Sequence, residues 1–554
     1  MAPSRRRKRR TAENVSPDKP GRLIAAVKAL KRVEPWLPRM VAGVVLAVMS
    51  CLAFRYHTVG GLGVETDFYA ELFPPAKELL DGRFSPLNYS AKGPVYSFLL
   101  AGVYLIVRDF FTAGLVLNLV CGAAFLVVLY FLVKTVFNTL TAAIVLFAAA
   151  ANYMFLSHVY QVGSDVPFML LCALSMYFLF SPCVCTHTRG PRFTPRLCTH
   201  TRGPRLFRDS GKRDLALSAV FGLLAFLTRY NGAFLVMGAF VYCAFSGGGI
   251  RERLKRTGLW LGVFIIAGLP WFIPNWIVTG NPVKNANYVN VMMDFYGGAN
   301  YENWTDALPK QFTGIADIFL YDPAYFIRHY AGNVALHFYS DMRELVGTGV
   351  GIFVILGALA LAVIRPARRS LLYIVFGIFY FLILALVFYN PRFSLFLLAI
   401  YLPLAVWPFT LKIRSVYLLW GSRLMLAACV VMICSTAPAS VIRVNREIRE
   451  SPEYLRDIGL ALGNVEHDKS QKIIARKPHT AYYAGLVPMM FPDKPQSVDE
   501  LVAYCRANGI RYVLYSVVEA RMRPNLRDLV NIDVKHPGLA EVYHNRFGVI
   551  YRVE

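Results

Sequence analysis

Six ionisable side chains flank apolar segments of this 554-residue chain, where a charge needs a reason to be present. They are Glu65, Asp67, Lys92, Asp165, Arg229 and Arg392. Glu65 and Asp67 begin a polar stretch, and carboxylates in such a stretch can act as general bases or as metal ligands. Arg229 lies between two apolar segments with no acid nearby in sequence, which is costly for an arginine without a partner or a function. These residue types are the ones that acid–base or metal chemistry requires.

Each of these residues also has a purely structural interpretation. The two acids, Glu65 and Asp67, can be solvated loop carboxylates. Lys92 can extend its amine from the end of an apolar helix towards water. Asp165 can cap a helix that begins near Pro167, and Arg392 can anchor a helix end at a membrane interface. Residue type does not decide between these interpretations, so the surrounding elements must.

The composition of the chain indicates an integral membrane protein. Hydrophobic residues make up 56% and charged residues only 17%, which is too little charge to cover a soluble globule of this length. Aromatic residues reach 14%, as is typical where helices meet lipid headgroups. The fold class predicted is therefore a polytopic α-helical membrane protein.

The net charge of +25 is concentrated in two segments. Residues 1–34 carry 11 Lys/Arg and 3 Asp/Glu, and residues 186–213 carry 8 and 1, so the two supply +8 and +7. Basic segments beside membrane spans are typical of cytoplasmic anchors that contact anionic membrane lipids, and we do not expect nucleic acid as a partner. Residues 1–35 are thus predicted to be a basic cytoplasmic N-terminus, followed by a retained first span.

Twelve apolar segments are candidates for membrane spans. They cover residues 36–55, 94–107, 111–133, 139–157, 165–180, 214–229, 231–246, 258–277, 344–364, 370–389, 393–411 and 416–436. Twelve crossings would place the basic insert 181–213 outside, against the positive-inside rule. We therefore predict about eleven spans within residues 36–436, with one of the three segments between 94 and 157 not crossing fully. The C-terminal residues 437–554 then lie on the outer face of the cell membrane.

Three stretches are predicted to face outward: the loops 56–93 and 278–343 and the tail 437–554. The tail is predicted to form a small soluble α/β domain, with strands at 472–477 and 510–517 and a helix at 497–509 that begins with a serine cap. A final hairpin is expected as well. The tail contains no nucleotide-binding motif, so we expect it to recognise or cover a substrate.

Several short motifs occur in order along the membrane part. Asp67 and Tyr69 follow the first span, Lys92-Gly93-Pro94-Val95-Tyr96 opens the next apolar segment, and GSDVPFMLL, FLTRYNG and YNPRFSLFLLAIYLPLA contain Asp165, Arg229 and Arg392. Together they resemble the membrane glycosyltransferases of the C-type fold, especially the protein mannosyltransferase and aminoarabinose transferase-like families. The resemblance extends over residues 36–436.

This resemblance implies a sugar donor carried on a polyprenyl phosphate and an acceptor that is a glycan, a lipid or a protein. It implies that Asp67 is the general base, with Glu65 as a helper. Lys92, Arg229 and Arg392 would bind the lipid phosphate, and Asp165 would orient substrate or a metal. The sequence requires no metal cofactor, and a divalent ion stays open. Neither the sugar nor the acceptor can be predicted.

Two other functions stay open at this point. A flippase or transporter of sugar lipids would also have many spans and buried charges, but it predicts inverted repeats, which we do not find. A polymerase or ligase that joins lipid-linked glycans would use a different donor at a similar site. The insert contains CTHTRGPR twice, and its Cys and His spacing fits no usual zinc site.

Overall fold

A computed structural model describes residues 34–181, 210–298, 311–364, 366–411, 416–491 and 497–554. Within them a largely helical part extends to Glu447 and a smaller α/β part follows. The CTHTRGPR repeats and almost all of the basic N-terminus lie outside the described residues.

The helical part contains seventeen α-helices among the described residues. In chain order they are α1 (Leu37–Tyr56), α2 (Phe73–Leu80), α3 (Val95–Val107), α4 (Phe110–Val136), α5 (Thr139–Ala150), α6 (Tyr153–Tyr160), α7 (Asp165–Phe180), α8 (Ser210–Phe226), α9 (Ala233–Phe245), α10 (Ile250–Thr279), α11 (Tyr288–Tyr296), α12 (Ile315–Tyr321), α13 (Pro323–Ser340), α14 (Thr348–Val363), α15 (Arg368–Leu384), α16 (Leu398–Thr410) and α17 (Val416–Glu447). A short 3-10 turn, Phe393–Leu397, leads into α16. All twelve predicted apolar segments are helical.

Helix length alone gives fewer membrane crossings than the charge distribution does. By length and composition, five of the described helices can cross a membrane, and α5 with α6 would make a sixth as one bent span. Four further apolar helices are shorter. The protein is therefore a multi-span membrane protein, and the count of eleven stays a prediction.

Side-chain caps set the helix starts between residues 107 and 153. Asp109, Asn138 and Asn152 each accept a hydrogen bond from the backbone N–H three residues on, at the beginning of α4, α5 and α6. The cap at Asn152 coincides with a bend of 59° between α5 and α6. This break lies within the region where one segment was expected not to cross fully. The bent pair is a candidate for that segment.

Helix α4 is the central helix of the membrane part, because it packs against α1, α3, α5 and α7. Its fully buried side chains include Phe125, Leu126, Leu129 and Leu132. Helix α7 in turn packs against α8, and α8 against α10. This packing brings the end of α1, the beginning of α7 and the end of α8 to one region, where the charged residues lie.

The C-terminal part is a five-stranded mixed sheet with helices around it. Its strands are β1 (Lys472–Ile474), β2 (Val487–Met489), β3 (Ile510–Ser516), β4 (Leu539–Asn545) and β5 (Gly548–Val553), and its helices are α18 (Glu453–Val465), α19 (His479–Ala484), α20 (Val498–Ala507) and α21 (Val517–Met522). The strand order is β2-β1-β3-β5-β4. Strands β4 and β5 form the predicted antiparallel hairpin, and Ser497 caps α20 as expected. The small α/β domain predicted for the tail is thus present.

Candidate active site

The first outward loop is fixed to the membrane part by Glu65. Its buried carboxylate accepts hydrogen bonds from the backbone N–H of Gly61 and of Val162, both at 2.6 Å, and lies 2.8 Å from Nε2 of His57. Val162 belongs to the turn before α7. Because both carboxylate oxygens are engaged in these contacts, Glu65 holds the loop in place.

Asp67, two residues further, forms an ion pair with two cations at once. Its Oδ2 lies 2.7 Å from Nζ of Lys92 and 2.8 Å from Nη2 of Arg392. The three side chains are only 11 to 25% exposed, so water screens their attraction weakly. Burial raises the pKa of Asp67, but the charges of Lys92 and Arg392 outweigh it and hold the pKa below its usual value. Asp67 is therefore an ionised carboxylate in this arrangement.

Glu71 is a site residue that our sequence analysis did not select. Its carboxylate accepts a hydrogen bond of 2.8 Å from Nζ of Lys92. It lies four residues after Asp67, in a π-helical turn that spans Phe68–Leu72. Helical spacing from Asp67 was a usable signal for it, because residues four apart share one face of a helix. Lys92 therefore bridges two carboxylates.

A second ion pair joins Asp165 to Arg229. Both side chains are about nine-tenths buried, and Arg229 donates a hydrogen bond from Nη1 to Oδ1 of Asp165. Asp165 is the first residue of α7, and Ser164 before it occupies the N-cap position. The arginine that lacks an acid nearby in sequence thus has a partner 64 residues away.

The ring of Phe393 connects the two ion pairs. The guanidinium of Arg392 lies 5.0 Å from the centre of this ring, and that of Arg229 lies 5.5 Å from it. Both distances are typical of cation–π contacts. The structure therefore gathers five of the six predicted residues, Glu65 excepted, around one point.

Nε of Arg392 is buried and has no hydrogen-bond partner among the described residues. A buried donor without a partner is rare in proteins, because it has lost its hydration. It is the expected state of a group that binds a ligand acceptor. The charges around it balance one another, three cations (Lys92, Arg229 and Arg392) facing three carboxylates in the ion pairs.

Gly93 allows the segments of Lys92 and Arg229 to approach closely. A Cβ atom at this position would lie 2.0 Å from the carbonyl oxygen of Leu227. The same oxygen accepts a hydrogen bond of 3.1 Å from the N–H of Val95. The backbone contact leaves no room for a side chain, so only glycine fits there.

We expect Gly93→Ala to lower the free energy of unfolding by about 1–3 kcal/mol, because the added methyl group must push two backbone segments apart. Gly102→Ala in α3 is the matched control, since a Cβ there meets nothing within 4 Å and helix propensity favours alanine. Thermal unfolding of both purified variants measures the effect. Equal midpoints for the two variants would contradict the close contact.

A metal site is not evident in this region. No group of three or more His, Cys, Asp or Glu side chains among the described residues is arranged to hold a metal ion. His329, which lies further along in the second outward loop, pairs with Asp294 at 3.2 Å. We therefore derive no step that passes through a metal.

Comparison with known proteins identifies the class of fold. Residues 91–188, which include Lys92 and Asp165, match the family model described as dolichyl-phosphate-mannose-protein mannosyltransferase. The chain is similar to ArnT from Cupriavidus metallidurans, solved with bound undecaprenyl phosphate, at 14% identity and a TM-score of 0.55, with 93% of this chain and 97% of that chain covered.

It is also similar to the archaeal oligosaccharyltransferase AglB from Archaeoglobus fulgidus, solved in complex with an inhibitory peptide and a dolichol-phosphate. There the identity is 11% and the TM-score 0.53, with 88% of this chain and 70% of that chain covered. No protein of curated function matches the chain in sequence. The predicted resemblance is confirmed: this chain has the C-type fold of membrane glycosyltransferases.

Proposed function

We propose that this protein transfers a sugar from a polyprenyl-phosphate carrier to an acceptor on the outer face of the cell membrane. The observation that carries the proposal is the contact of one carboxylate, Asp67, with two buried cations, Lys92 and Arg392. A carboxylate that can accept a proton and two cations that can bind phosphate thus lie at one point. Similarity of fold to proteins solved with undecaprenyl phosphate and dolichol-phosphate supports this donor class.

In the proposed reaction a hydroxyl of the acceptor attacks the anomeric carbon of the donor. Asp67 accepts the hydroxyl proton as the new glycosidic bond forms. The bond between the anomeric carbon and the phosphate oxygen breaks, and its electron pair stays on the phosphate. Lys92 and Arg392 stabilise the negative charge that grows there. Attack from the face opposite the phosphate inverts the anomeric centre.

The shared cations also explain how the base becomes active. A carboxylate with two cationic partners is a weak base, because they hold its pKa low. A donor phosphate competes with Asp67 for Lys92 and Arg392, and each cation that turns to the phosphate stabilises the Asp67 carboxylate less. Donor binding therefore raises the proton affinity of Asp67 at the moment when the acceptor needs it.

The remaining site residues support this centre. Arg229 adds a third positive charge for the phosphate through its position beside Phe393, and Asp165 holds that arginine in place. Glu65 helps by fixing the loop that carries Asp67. The basic N-terminus and the basic insert support an orientation with both in the cytoplasm and the C-terminal domain outside.

The proposed function is tested with membrane vesicles and a radiolabelled sugar on polyprenyl phosphate. We expect the chain to transfer label to an acceptor, and only in vesicles whose outer face is exposed to the donor. The same sugar on polyprenyl diphosphate is the matched comparison, and we expect at least about tenfold less transfer from it, because the site offers few cations beyond those paired with carboxylates.

Two outcomes would overturn the proposal. Preferred use of the diphosphate donor would indicate a polymerase or ligase of lipid-linked glycans. Movement of the labelled lipid across the membrane without a new glycosidic bond would indicate a flippase. Vesicles that carry Asp67→Asn provide the background for both measurements.

A further inference from the structure

The C-terminal domain contacts the loop that carries the proposed base. Nζ of Lys477 donates hydrogen bonds to the carbonyl oxygen of Leu62 and, at 3.0 Å, to Oγ1 of Thr66. Thr66 immediately precedes Asp67. Lys477 is half-buried, and burial together with the nearby Arg476 lowers its pKa to about 8, while the charge of Asp67 acts in the opposite direction. The amine of Lys477 is thus held by hydrogen bonds against the residue that precedes Asp67.

His479 holds the beginning of the same loop. Its Nε2 lies 3.0 Å from the carbonyl oxygen of Gly60, and its ring centre lies 4.1 Å from that of Tyr69. The side chain is fully buried, and burial lowers its pKa to about 4. The ring is therefore neutral at pH 7 and donates to Gly60 through Nε2–H.

The loop is held from the membrane side as well. Glu65 connects it to the backbone of Val162. On the side of the soluble domain, Oγ1 of Thr58 also donates to Glu453 of α18 at 2.8 Å. Residues 60–66 therefore lie between the soluble domain on one side and the turn before α7 on the other. Neither Lys92 nor Arg392 depends on this contact, because both belong to the membrane part.

We infer that Lys477 and His479 are positioning residues of the active site, which fix loop 60–66 so that Asp67 meets Lys92 and Arg392. The soluble domain is then part of the catalytic machinery and not only a cover. This inference rests on the proposed function. It requires that loss of Lys477 reduces turnover while donor binding, which depends on the membrane part, is retained.

The test compares Lys477→Met with Lys472→Met in the full-length protein. Lys472 lies five residues earlier in the same domain, and its Nζ donates to the carbonyl oxygen of Asn508 at 2.9 Å, away from the loop. For Lys477→Met we expect hydrogen–deuterium exchange of residues 58–67 to rise about tenfold, because hydrogen bonds from a charged donor are lost. We expect turnover at saturating donor to fall about tenfold with no rise in the donor KM, because a poorly positioned Asp67 competes less with the donor for Lys92 and Arg392.

Lys477→Arg keeps a charged donor and should restore at least half of the turnover, which a general loss of stability would not allow. Unchanged exchange in Lys477→Met would overturn the inference whether or not the chain transfers sugar. A rise in donor KM equal to the loss in turnover would also overturn it, since it would indicate direct contact with the donor. If the wild type transfers no sugar but Lys477→Met still exchanges faster, the contact between Lys477 and the loop is supported and only the proposed function is rejected.

Discussion

Replacing Asp67 with asparagine should abolish sugar transfer, with a loss of at least about 10³-fold and no loss of expression. Asparagine has the same shape but cannot accept the acceptor's proton, and general-base catalysis is worth about 10²–10⁴-fold. Initial rates of label transfer in membranes measure the loss. Asp81→Asn is the matched control, because Asp81 lies in the same outward loop and pairs with Arg83 at the surface. Normal transfer by Asp67→Asn would exclude the mechanism.

Asp67→Asn also tests whether Asp67 competes with the donor phosphate for its two cations. In the wild type, Asp67 competes with the donor phosphate for Lys92 and Arg392. Asp67→Asn leaves both cations available, so the inactive variant should bind polyprenyl phosphate more tightly than the wild type, by about tenfold. Because the pKa of Asp67 is held below its usual value, the carboxylate stays ionised from about pH 5 to 8, and the difference should persist throughout. Weaker binding would mean that Asp67 contacts the donor directly.

The charged cluster was partly predictable from the sequence. Asp67, Lys92 and Arg392 occur at three distant positions, yet each adjoins an apolar segment, and the count of spans placed them on one side. Sidedness is a coarse property that charge and hydropathy do record. The sequence does not show which charged residues form ion pairs. Arg229 has no acid nearby in sequence, and it contacts Asp165 only because α7 and α8 pack together.

The different directions of Glu65 and Asp67 show where prediction ends. The two carboxylates are two residues apart in one loop, and their chemistry is nearly the same. Glu65 turns towards the N–H groups of Gly61 and Val162, while Asp67 turns towards Lys92 and Arg392. Glu65 lies in a turn and Asp67 in the helical turn that follows it, so no single periodicity relates the two side chains, and tertiary contacts decide their directions.

The sequence also gives no means of predicting Lys477 as a site residue, because its role depends on a tertiary contact. It lies 411 residues from Thr66, in a domain whose own sequence indicates only a small sheet with helices. Its neighbours form a typical strand end, and nothing local distinguishes it from Lys472. Only the docking of the C-terminal domain on the first outward loop gives it a partner. The count of eleven spans stays a prediction, because helix length and composition account for only five or six crossings among the described residues.

Replacing Arg392 with glutamine should lower kcat/KM for the donor by about 10²–10³-fold. The variant lacks one of two cations at the point where charge develops on the leaving phosphate, and the loss of one preorganised donor typically has an effect of this size. Stability should change little, because Asp67 keeps its ion pair with Lys92. Arg229→Gln is the informative comparison: it leaves the buried carboxylate of Asp165 without its partner and should destabilise the protein by about 3–5 kcal/mol.

Combining Arg392→Gln with Asp67→Asn tests whether Asp67 and the donor phosphate compete for Arg392. If Arg392 is divided between Asp67 and the donor, then removing Arg392 should cost more donor affinity in the Asp67→Asn background than in the wild type, because only there is the guanidinium fully available. Equilibrium binding of polyprenyl phosphate to the four proteins of this double-mutant cycle measures the coupling. Equal costs in both backgrounds would mean that the donor binds without drawing Arg392 from Asp67, and the activation of the base by its own donor would have to be abandoned.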